Sequence, residues 1–380
     1  MSQLITYSVY HSYQEIAPFN FETDSVFLSK TYFEALEKSA PKNMKCHFIL
    51  LFQNQKVEGV ALAQFLDLNH LASFGERDKC LKSLVRNFVF KNFSSHVLFI
   101  GNNMLSGQNA FWVSPTINKS QAITHIKNAC LDIIAHYKKA GIKIHITTFK
   151  DFEKEELTYF TDSYFLDNYC FSTQPNMQFS ILENWTTEND YVMALSKKYR
   201  DQYKRSRKKC DEVVKKKMHL HDIVQHQKKM YELYYYVAKN APLNTFFLKE
   251  NHFEILKKQL HDSFLVYGYF LNNELIGFNT LIKNGAIMET YFLGYDDRFQ
   301  KEKMLYLNML YDMVGYSIKK GFSKIIFGRT ALEIKSSVGA EPTEMFGFIK
   351  HSNKIINYFM PKLFPYFDPK VSWTKRSPFK

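Results

Sequence analysis

Three residues in the last third of the chain carry side chains that can transfer a proton or bind an anion. Glu289 and Tyr291 lie two positions apart in 286–293, whose aliphatic and aromatic residues predict a β-strand. Because side chains alternate along a strand, we expect both on one face, where a carboxylate can take a proton and a phenol can give one. Arg329 directly follows a second predicted strand, 324–328, and its guanidinium suits a carboxylate or phosphate.

Each assignment also has a structural alternative. Glu289 is equally well explained as a strand-end carboxylate that is hydrogen-bonded to a neighbour. Tyr291 is one of 24 tyrosines, so its type alone is weak support. Arg329 would be structural if it paired with Glu333. A functional Arg329 is favoured because ligands bind outside the carboxyl ends of adjacent parallel strands in open α/β sheets.

Most of the excess positive charge lies in one segment. The chain has a formal net charge of +13, and residues 197–217 contain eleven Lys or Arg against three acidic residues. A narrow apolar stripe at helical spacing runs through this segment. Its members are Tyr199, Tyr203, Ser206, Cys210 and Val213. With a capped start at Thr187 and Asp190, the pattern predicts a basic helix within 187–217.

The basic helix admits two interpretations. Charged runs are usually solvated faces, but such faces mix Glu with Lys, and this one does not. The sign imbalance favours an anionic partner: the phosphates of a cofactor, a polyanionic substrate, an acidic membrane surface or RNA. Lys204, Arg205 and Arg207 are the candidate substrate-binding residues.

The elements that position these residues occur twice. Residues 48–59 and 266–277 share one pattern at a constant offset of 218, with an apolar run, a Phe, an Asn-based turn and a closing Gly. Each predicted hairpin is followed later by a helix that ends in a Lys-Lys and Gly motif, and then by a buried strand, 142–149 or 322–328. The repeat predicts two copies of one α/β module.

Length is consistent with two modules. The chain has 380 residues, whereas one domain usually spans about 100 to 200. We place the boundary near Pro175, which gives modules at 1–175 and 176–380. The other predicted elements are helices at 27–40, 120–140, 223–239, 248–261 and 301–320, a strand at 96–100, and helical or irregular material at 71–94.

Three motifs of the second module resemble a known family. They are LSKKYRDQYKRSRKK at 195–209, GYFLNNELIGFNTLI at 268–282 and KKGFSKIIFGRTALEIKSSVGAEP at 319–342. In this order they are similar to the GNAT-related proteins with two tandem modules, which include the Fem-type peptidoglycan-bridge aminoacyltransferases. The resemblance covers about residues 185–345 well. It implies an α/β (α+β) fold of two tandem GNAT-like modules, each a mixed sheet flanked by helices.

The resemblance also implies a reaction. In the GNAT fold two neighbouring strands part and hold an acyl thioester or ester while an amine attacks its carbonyl. We therefore expect an N-acyltransferase in which Glu289, Tyr291 and Arg329 are catalytic. Tyr295, Glu333 and Lys335 are further candidates for substrate binding. The acceptor implied is an amine, such as a cell-envelope precursor.

One departure from the family concerns the acyl donor. Many GNAT enzymes hold the pyrophosphate of CoA with a glycine-rich turn before the central helix, but 297–306 contains no glycine. Side chains would have to bind the phosphates instead, and the candidates are Arg298, Gln300, Lys301 and Lys303. We expect acyl-CoA as a co-substrate, with no bound cofactor. The corresponding segment of the first module, 101–107, has glycines but no basic residue.

Several other classes are disfavoured. The five cysteines show neither metal nor redox spacing, and His219 and His221 are poorly spaced to share a metal on a helix. Neither a signal peptide nor a membrane-spanning run is recognisable, which predicts a cytoplasmic protein. The aromatic, basic tail from 356 suits packing at the domain junction or, alternatively, peripheral contact with the inner face of an anionic membrane.

Two other functions stay open from the sequence. The missing glycine turn suits a GNAT-shaped binding module without chemistry, and the basic segment suits a protein that binds tRNA or other RNA. The sequence leaves the oligomeric state undetermined.

Overall fold

The computed structural model describes residues 4–69, 94–172, 174–241, 244–367 and 372–380. The strands are β1 Ile5–Tyr10, β2 Met44–Gln53, β3 Lys56–Asp67, β4 His96–Ile100, β5 Phe111–Val113, β6 Ile146–Phe152, β7 Tyr169–Ser172, β8 Asn176–Ser180, β9 Val214–Met218, β10 Phe264–Leu271, β11 Glu274–Asn284, β12 Ile287–Tyr295, β13 Lys324–Gly328, β14 Glu341–Thr343 and β15 Phe346–His351. The helical or irregular material predicted at 71–94 lies, except for residue 94, outside the described residues.

The helices are α1 Tyr13–Ile16, α2 Lys30–Ser39, α3 Lys119–Lys139, α4 Ser163–Leu166, α5 Glu188–Ala194, α6 Lys197–Lys209, α7 Leu220–Gln225, α8 Gln227–Lys239, α9 His252–Leu260, α10 Asp297–Lys303, α11 Leu305–Lys319, α12 Leu332–Ser337 and α13 Lys354–Phe367. Short 3₁₀ helices form at Val26–Leu28, Lys154–Tyr159 and His261–Ser263.

The chain divides into two compact units. Unit 1 comprises Met1–Gln174, Pro242–Lys249 and Glu344–Val371. Unit 2 comprises Pro175–Ala241, Glu250–Thr343 and Ser372–Lys380.

Each unit contains one mixed sheet, and the two sheets have the same plan. In unit 1 the strand order is β1-β2-β3-β4-β6-β15-β7, with β5 added against β3. In unit 2 the order is β9-β10-β11-β12-β13-β8-β14. Among the described strands, the parallel pairs are β4 with β6 and β12 with β13, at the centre of each sheet, and the other pairs are antiparallel. The two halves of the chain therefore repeat one topology.

Each sheet contains one strand that the order of the chain would place in the other sheet. β7 lies at the edge of the sheet of unit 1, but the next strand in the chain, β8, belongs to unit 2. Likewise β14 lies at the edge of the sheet of unit 2, and the next strand, β15, lies between β6 and β7 of unit 1. Residues 344–371, which the sequence placed with the rest of 176–380, therefore belong to unit 1, because β15 forms its backbone hydrogen bonds there.

The repeated hairpins have matching geometry. Asn54 and Gln55 turn the first hairpin with φ of 51° and 63°, and Asn272 and Asn273 turn the second with φ of 49° and 65°. Two consecutive positive φ angles are typical of a type I′ turn, in which Asn is favoured. A register shift follows at the same place in both hairpins, after Leu51 in the first and after Tyr269 in the second.

The helix of each repeat packs on its sheet and ends in the same way. α3 buries a stripe of seven residues against the sheet of unit 1, and α11 is buried along most of its length in unit 2. Gly141 follows α3 with φ of 77°, and Gly321 follows α11 with φ of 71°. A glycine in this left-handed conformation closes a helix without a steric penalty from Cβ, which explains the Lys-Lys and Gly echo in the sequence.

The basic segment is not one continuous helix. α5 and α6 cover 188–194 and 197–209, and the chain then forms β9 over Val214–Met218. β9 is the edge strand of its sheet and pairs with β10. Lysines on an edge strand discourage pairing with other chains, which accounts for Lys215, Lys216 and Lys217 there. The stripe on α6 is partly as predicted, since Tyr199 and Ser206 are buried.

Candidate active site

The two central parallel strands of unit 2 part after three residue pairs. β12 pairs with β13 at Ile287–Lys324, Met288–Ile325 and Glu289–Ile326. β12 then continues to Tyr295 along β11, and within the described residues none of its later positions is paired with β13. The edge of β12 that faces β13 is therefore not paired with β13 beyond Glu289.

A β-bulge in β12 accompanies this parting. Asn279 of β11 lies opposite Leu293, whereas Leu281 lies opposite Thr290. Two residues of β12, Tyr291 and Phe292, thus face one residue of β11, Thr280. The hydroxyl of Thr280 donates a hydrogen bond of 2.5 Å to the carbonyl oxygen of Phe292 and fixes the irregular segment. A bulge bends and twists its strand, which accounts for the departure of β12 from β13.

Glu289 occupies the last pair before the gap. Its side chain is 7% exposed, and its neighbours across the two adjacent strands are Ile282 and Ile326. Burial raises the pKa of this carboxyl to about 8, against the opposing effects of a hydrogen bond from Asn284 and the charge of Lys324. Glu289 therefore exchanges its proton near neutral pH, as a general base must.

Tyr291 lies on the same face of the sheet as Glu289. Glu289 is opposite Ile282, Ile282 is opposite Phe264, and the ring of Phe264 packs against that of Tyr291 with centroids 6.4 Å apart. Residues opposite one another in an antiparallel pair share a face. The common face predicted from the alternation along the strand thus holds, although the bulge begins at Tyr291.

A histidine that the sequence left unassigned joins this face. His252, the first residue of α9, is fully buried, and its Nε2 lies 3.1 Å from the hydroxyl of Tyr291. The two rings are stacked, with centroids 5.8 Å apart and planes 24° apart. The imidazole tautomer decides which group donates. His252 is 39 positions from Tyr291, so local spacing carries no signal of their contact.

Arg329 begins an unusual turn at the end of β13. Gly328, Thr330 and Ala331 have φ of 72°, 67° and 48°. The buried ammonium of Lys335 holds this turn by donating hydrogen bonds of 3.2 Å to the carbonyl oxygen of Gly328 and 2.7 Å to that of Arg329. Burial lowers the pKa of Lys335 to about 7. Left-handed non-glycine residues cost about 1–3 kcal/mol each and are concentrated at functional sites.

Two other predicted binding residues lie apart from Glu289 and Tyr291. Tyr295, at the end of β12, packs against the apolar cluster beneath α11, where its ring is 6.2 Å from that of Tyr306. Glu333 is exposed and forms an ion pair with Arg376 of the C-terminal segment. Lys335 is thus the one of the three that directly contacts the turn at Arg329.

The predicted phosphate-binding residues lie on α10, before α11. The side-chain oxygen of Gln300 accepts a hydrogen bond of 2.8 Å from the backbone N–H of Tyr306, in the first turn of α11. Arg298 forms a two-pronged ion pair with Asp296, and Lys303 pairs with Glu212 at 2.6 Å. Lys301 is exposed. The protein's own side chain thus occupies part of the helix terminus where a glycine-rich turn would bind pyrophosphate, so an N–H cradle for CoA does not fit here.

The three basic candidates on α6 differ in their surroundings. Lys204 and Arg205 are exposed. Arg207 instead points inward, forming ion pairs with Asp312 at 2.8 Å and Glu188 at 2.5 Å. These carboxylates raise the pKa of Arg207 despite the opposing effect of burial. Arg207 therefore joins α6 to α5 and α11.

In unit 1 the strands equivalent to β12 and β13 are β4 and β6. They stay paired to the last residue of β4, at Ile100–Phe149. The next residue of β6, Lys150, is buried and donates hydrogen bonds of 3.1 and 3.2 Å to the carbonyl oxygens of Asn102 and Leu105. A neighbouring ion pair with Asp151 compensates its charge. The loop predicted at 101–107 is thus bound by the protein's own lysine.

Among the described residues, no cluster of three or more His, Cys, Asp or Glu side chains is arranged to bind a metal ion. Within the same part of the chain, no helix is both long and apolar enough to cross a membrane.

No protein-family model and no curated protein matches this sequence. Solved structures do resemble its fold. FemX is 13% identical with a TM-score of 0.51, and the match covers 94% of this chain and 99% of FemX. A tandem GNAT protein from the clavulanic acid biosynthesis pathway is 7% identical with a TM-score of 0.50, covering 92% of this chain and 99% of its own. The fold is that of two tandem GNAT modules. This confirms the predicted fold class, and it confirms the predicted resemblance as a similarity of fold.

Proposed function

We propose that unit 2 is an N-acyltransferase that moves an acyl group from an activated donor to an amine in the gap between β12 and β13. The observation that carries this proposal is the parting of two parallel strands beside Glu289, a buried carboxyl whose pKa is about 8. The GNAT fold, which hosts acyltransferases, supports the assignment as analogy, since a fold alone does not define a reaction.

The reaction follows from the groups around the gap. The donor carbonyl lies along β12, whose N–H groups stabilise the negative charge that develops on its oxygen. The amine nitrogen attacks the carbonyl carbon, so a C–N bond forms and the C–S or C–O bond to the leaving group breaks. Glu289 takes the proton that the ammonium must lose before it attacks, and Tyr291 gives a proton to the leaving thiolate or alkoxide. The second proton, which the nitrogen loses as the amide forms, returns to Tyr291. Acyl donor and amine supply every atom of the products.

Three further residues position the reacting groups. His252 holds the hydroxyl of Tyr291 through the bond of 3.1 Å. Arg329 binds an anionic group of the donor or acceptor, and Lys335 fixes the turn that carries Arg329.

Acyl-CoA is our first proposed donor. Its phosphates would be bound by side chains, with the exposed Lys301 as the primary contact. Arg298, Lys303 and Gln300 would have to leave their present partners to contribute. This requirement predicts weaker binding of CoA than in enzymes with a glycine-rich turn.

Aminoacyl-tRNA is the second candidate donor, favoured by a specific observation. Lys204, Arg205, Lys208 and Lys209 form an exposed basic row on α6, and Lys216 and Lys217 of β9 are exposed as well. Such a surface can bind a phosphate backbone. The Fem-type resemblance supports the same donor, and it supports a cell-envelope precursor as the amine acceptor.

The test is direct product detection. Purified protein is incubated with labelled acetyl-CoA, a long-chain acyl-CoA or charged tRNA, together with amino-acid and amino-sugar acceptors, and products are identified by mass spectrometry. A new amide that disappears in Glu289→Gln but persists in Glu183→Gln, an exposed glutamate of unit 2, is the expected result. Binding of a donor without any amide product would instead identify a non-catalytic module.

A further inference from the structure

Helix α13 exposes a continuous apolar row. Ile355, Tyr358, Phe359 and Leu363 are 71%, 80%, 42% and 37% exposed. Their spacing of three, one and four residues places them on one face of the helix. Single exposed apolar residues are ordinary, but a contiguous row on one helix indicates an interaction surface.

The opposite face of α13 packs against unit 1. Met360 is 5% exposed, and the ring of Phe364 packs on Tyr169 and Phe171 of β7, with centroids 5.6 and 4.7 Å apart. These contacts lie within unit 1. Because the sheet of unit 1 holds the side at Met360 and Phe364, the row at 355–363 points away from that sheet.

Among Lys, Arg, Asp and Glu, the segment that carries this row contains only positively charged residues. Residues 345–367 contain three lysines and no Asp or Glu. Lys354 and Lys362 are exposed beside the apolar row. The third, Lys350, lies over the ring of Tyr164 at 4.2 Å and faces elsewhere. A partner for α13 must therefore accept apolar side chains and carry negative charge at their border.

A bilayer with anionic headgroups meets both requirements. Helices that lie in a membrane interface have large apolar residues on one face and lysines beside them, and aromatic rings are favoured at headgroup depth. These exposed side chains project from a helix, so they can insert between lipids without a matching groove. We propose that α13 is an interfacial helix that docks unit 1 on an anionic lipid surface. This proposal does not depend on the acyltransferase assignment.

Vesicle flotation of the full-length protein tests the proposal. Vesicles of phosphatidylcholine mixed with phosphatidylglycerol should carry the protein upward, and pure phosphatidylcholine should carry much less. Ile355→Ser with Tyr358→Ser should lower binding about tenfold or more, because these side chains supply the buried apolar area. The matched control is Leu182→Ser with Met193→Ser, which alters residues of unit 2 that are 53% and 55% exposed.

Charge variants separate α13 from the basic row of α6. Lys354→Gln with Lys362→Gln should weaken binding to anionic vesicles, whereas Lys138→Gln with Lys139→Gln, exposed on α3, should not. If Lys208→Gln with Lys209→Gln abolishes binding while the variants of α13 bind normally, the lipid surface is α6 and the proposal fails. An unaltered melting temperature in each variant shows that folding is intact.

Two further measurements address insertion and the alternative occupant. Tyr358→Trp should be quenched by brominated lipids more than Leu182→Trp, each compared with the parent protein. Equal quenching at both positions would contradict insertion. Sedimentation velocity tests for a second copy of the chain on this row. A dimer that Ile355→Ser with Tyr358→Ser converts to a monomer would assign the row to self-association and overturn lipid docking.

Discussion

Glu289 faces Ile326 in the last residue pair that joins β12 to β13, so the only acidic side chain of β12 is buried where the sheet opens. Glu289 is therefore both buried and next to the opening in the sheet. The carboxyl is buried beside the paired part of the sheet, and it adjoins the point at which β12 and β13 part.

Replacing this carboxyl should remove chemistry without unfolding the protein. Glu289→Gln keeps the size of the side chain and removes a group whose ionisation the site disfavours. We expect the turnover of acyl donor to fall by about 10²- to 10⁴-fold, the usual contribution of a general base, with unchanged or higher thermal stability. An active Glu289→Gln variant would exclude Glu289 as the base.

The same group predicts how the stability of unit 2 depends on pH. The pKa of Glu289 is raised from 4.5 to about 8 by burial. Below about 4.5 both the folded and the unfolded state hold the proton; between the two values only the unfolded state loses it, so stability falls as pH rises. Denaturant unfolding of unit 2 from pH 5 to about 6.5, below the range in which Lys335 titrates, should show this decline, and Glu289→Gln should flatten it.

The contact between His252 and Tyr291 predicts coupled effects on activity. Tyr291→Phe removes the hydroxyl, and His252→Gln removes the ring that holds it. If His252 acts through Tyr291, each single variant should lower kcat, and the double variant should be little worse than Tyr291→Phe. Additive losses would mean separate roles. His221→Gln, at an exposed histidine of α7, is the control.

Lys335 should influence both the turn at Arg329 and stability at high pH. Lys335→Met leaves the carbonyl oxygens of Gly328 and Arg329 without their donor. We expect a loss of about 1–3 kcal/mol in unfolding free energy and a raised KM. The pKa of Lys335 is lowered from 10.5 to about 7. Stability from this site therefore rises with pH across that window, because only the unfolded state stays protonated. Lys320→Met should change neither property.

Unit 1 should respond to acid in the opposite sense to unit 2. Burial, aided by His11 and His136, lowers the pKa of His47 to about 3, and burial lowers that of His145 to about 4. Below about pH 6.5 the unfolded state takes up protons that the folded state refuses, so unit 1 loses stability as pH falls. Denaturant-dependent hydrogen exchange, corrected for intrinsic rates, should show this loss in peptides of unit 1. Equal acid sensitivity of both units would contradict it.

Local sequence predicted the features that depend on local chemistry. Asn-based turns predicted both hairpins, because Asn tolerates the left-handed conformation that a type I′ turn needs. The Lys-Lys and Gly echoes correctly marked the ends of α3 and α11. The alternation along β12 placed Glu289 and Tyr291 on one face. In each case the deciding interaction lies within a few residues of the chain.

Features that depend on distant partners were missed. The position of β15 in unit 1 is set by hydrogen bonds with β6 and β7, which nothing within 346–351 specifies. The basic segment was predicted to be one helix within 187–217. Its end instead forms the strand 214–218, because that part of the chain pairs with β10. His252 reaches the hydroxyl of Tyr291 only because α9 packs on the sheet.

The crossing of β8 and β15 between sheets has a consequence for synthesis on the ribosome. Unit 1 is translated first, yet its sheet lacks an inner strand until residue 351 has emerged. Until then β6 and β7 have no strand between them, although every described strand of unit 2 precedes β15 in the chain. Nascent unit 1 thus has an extended period of vulnerability to misassembly, while most of the strands of unit 2 can already associate.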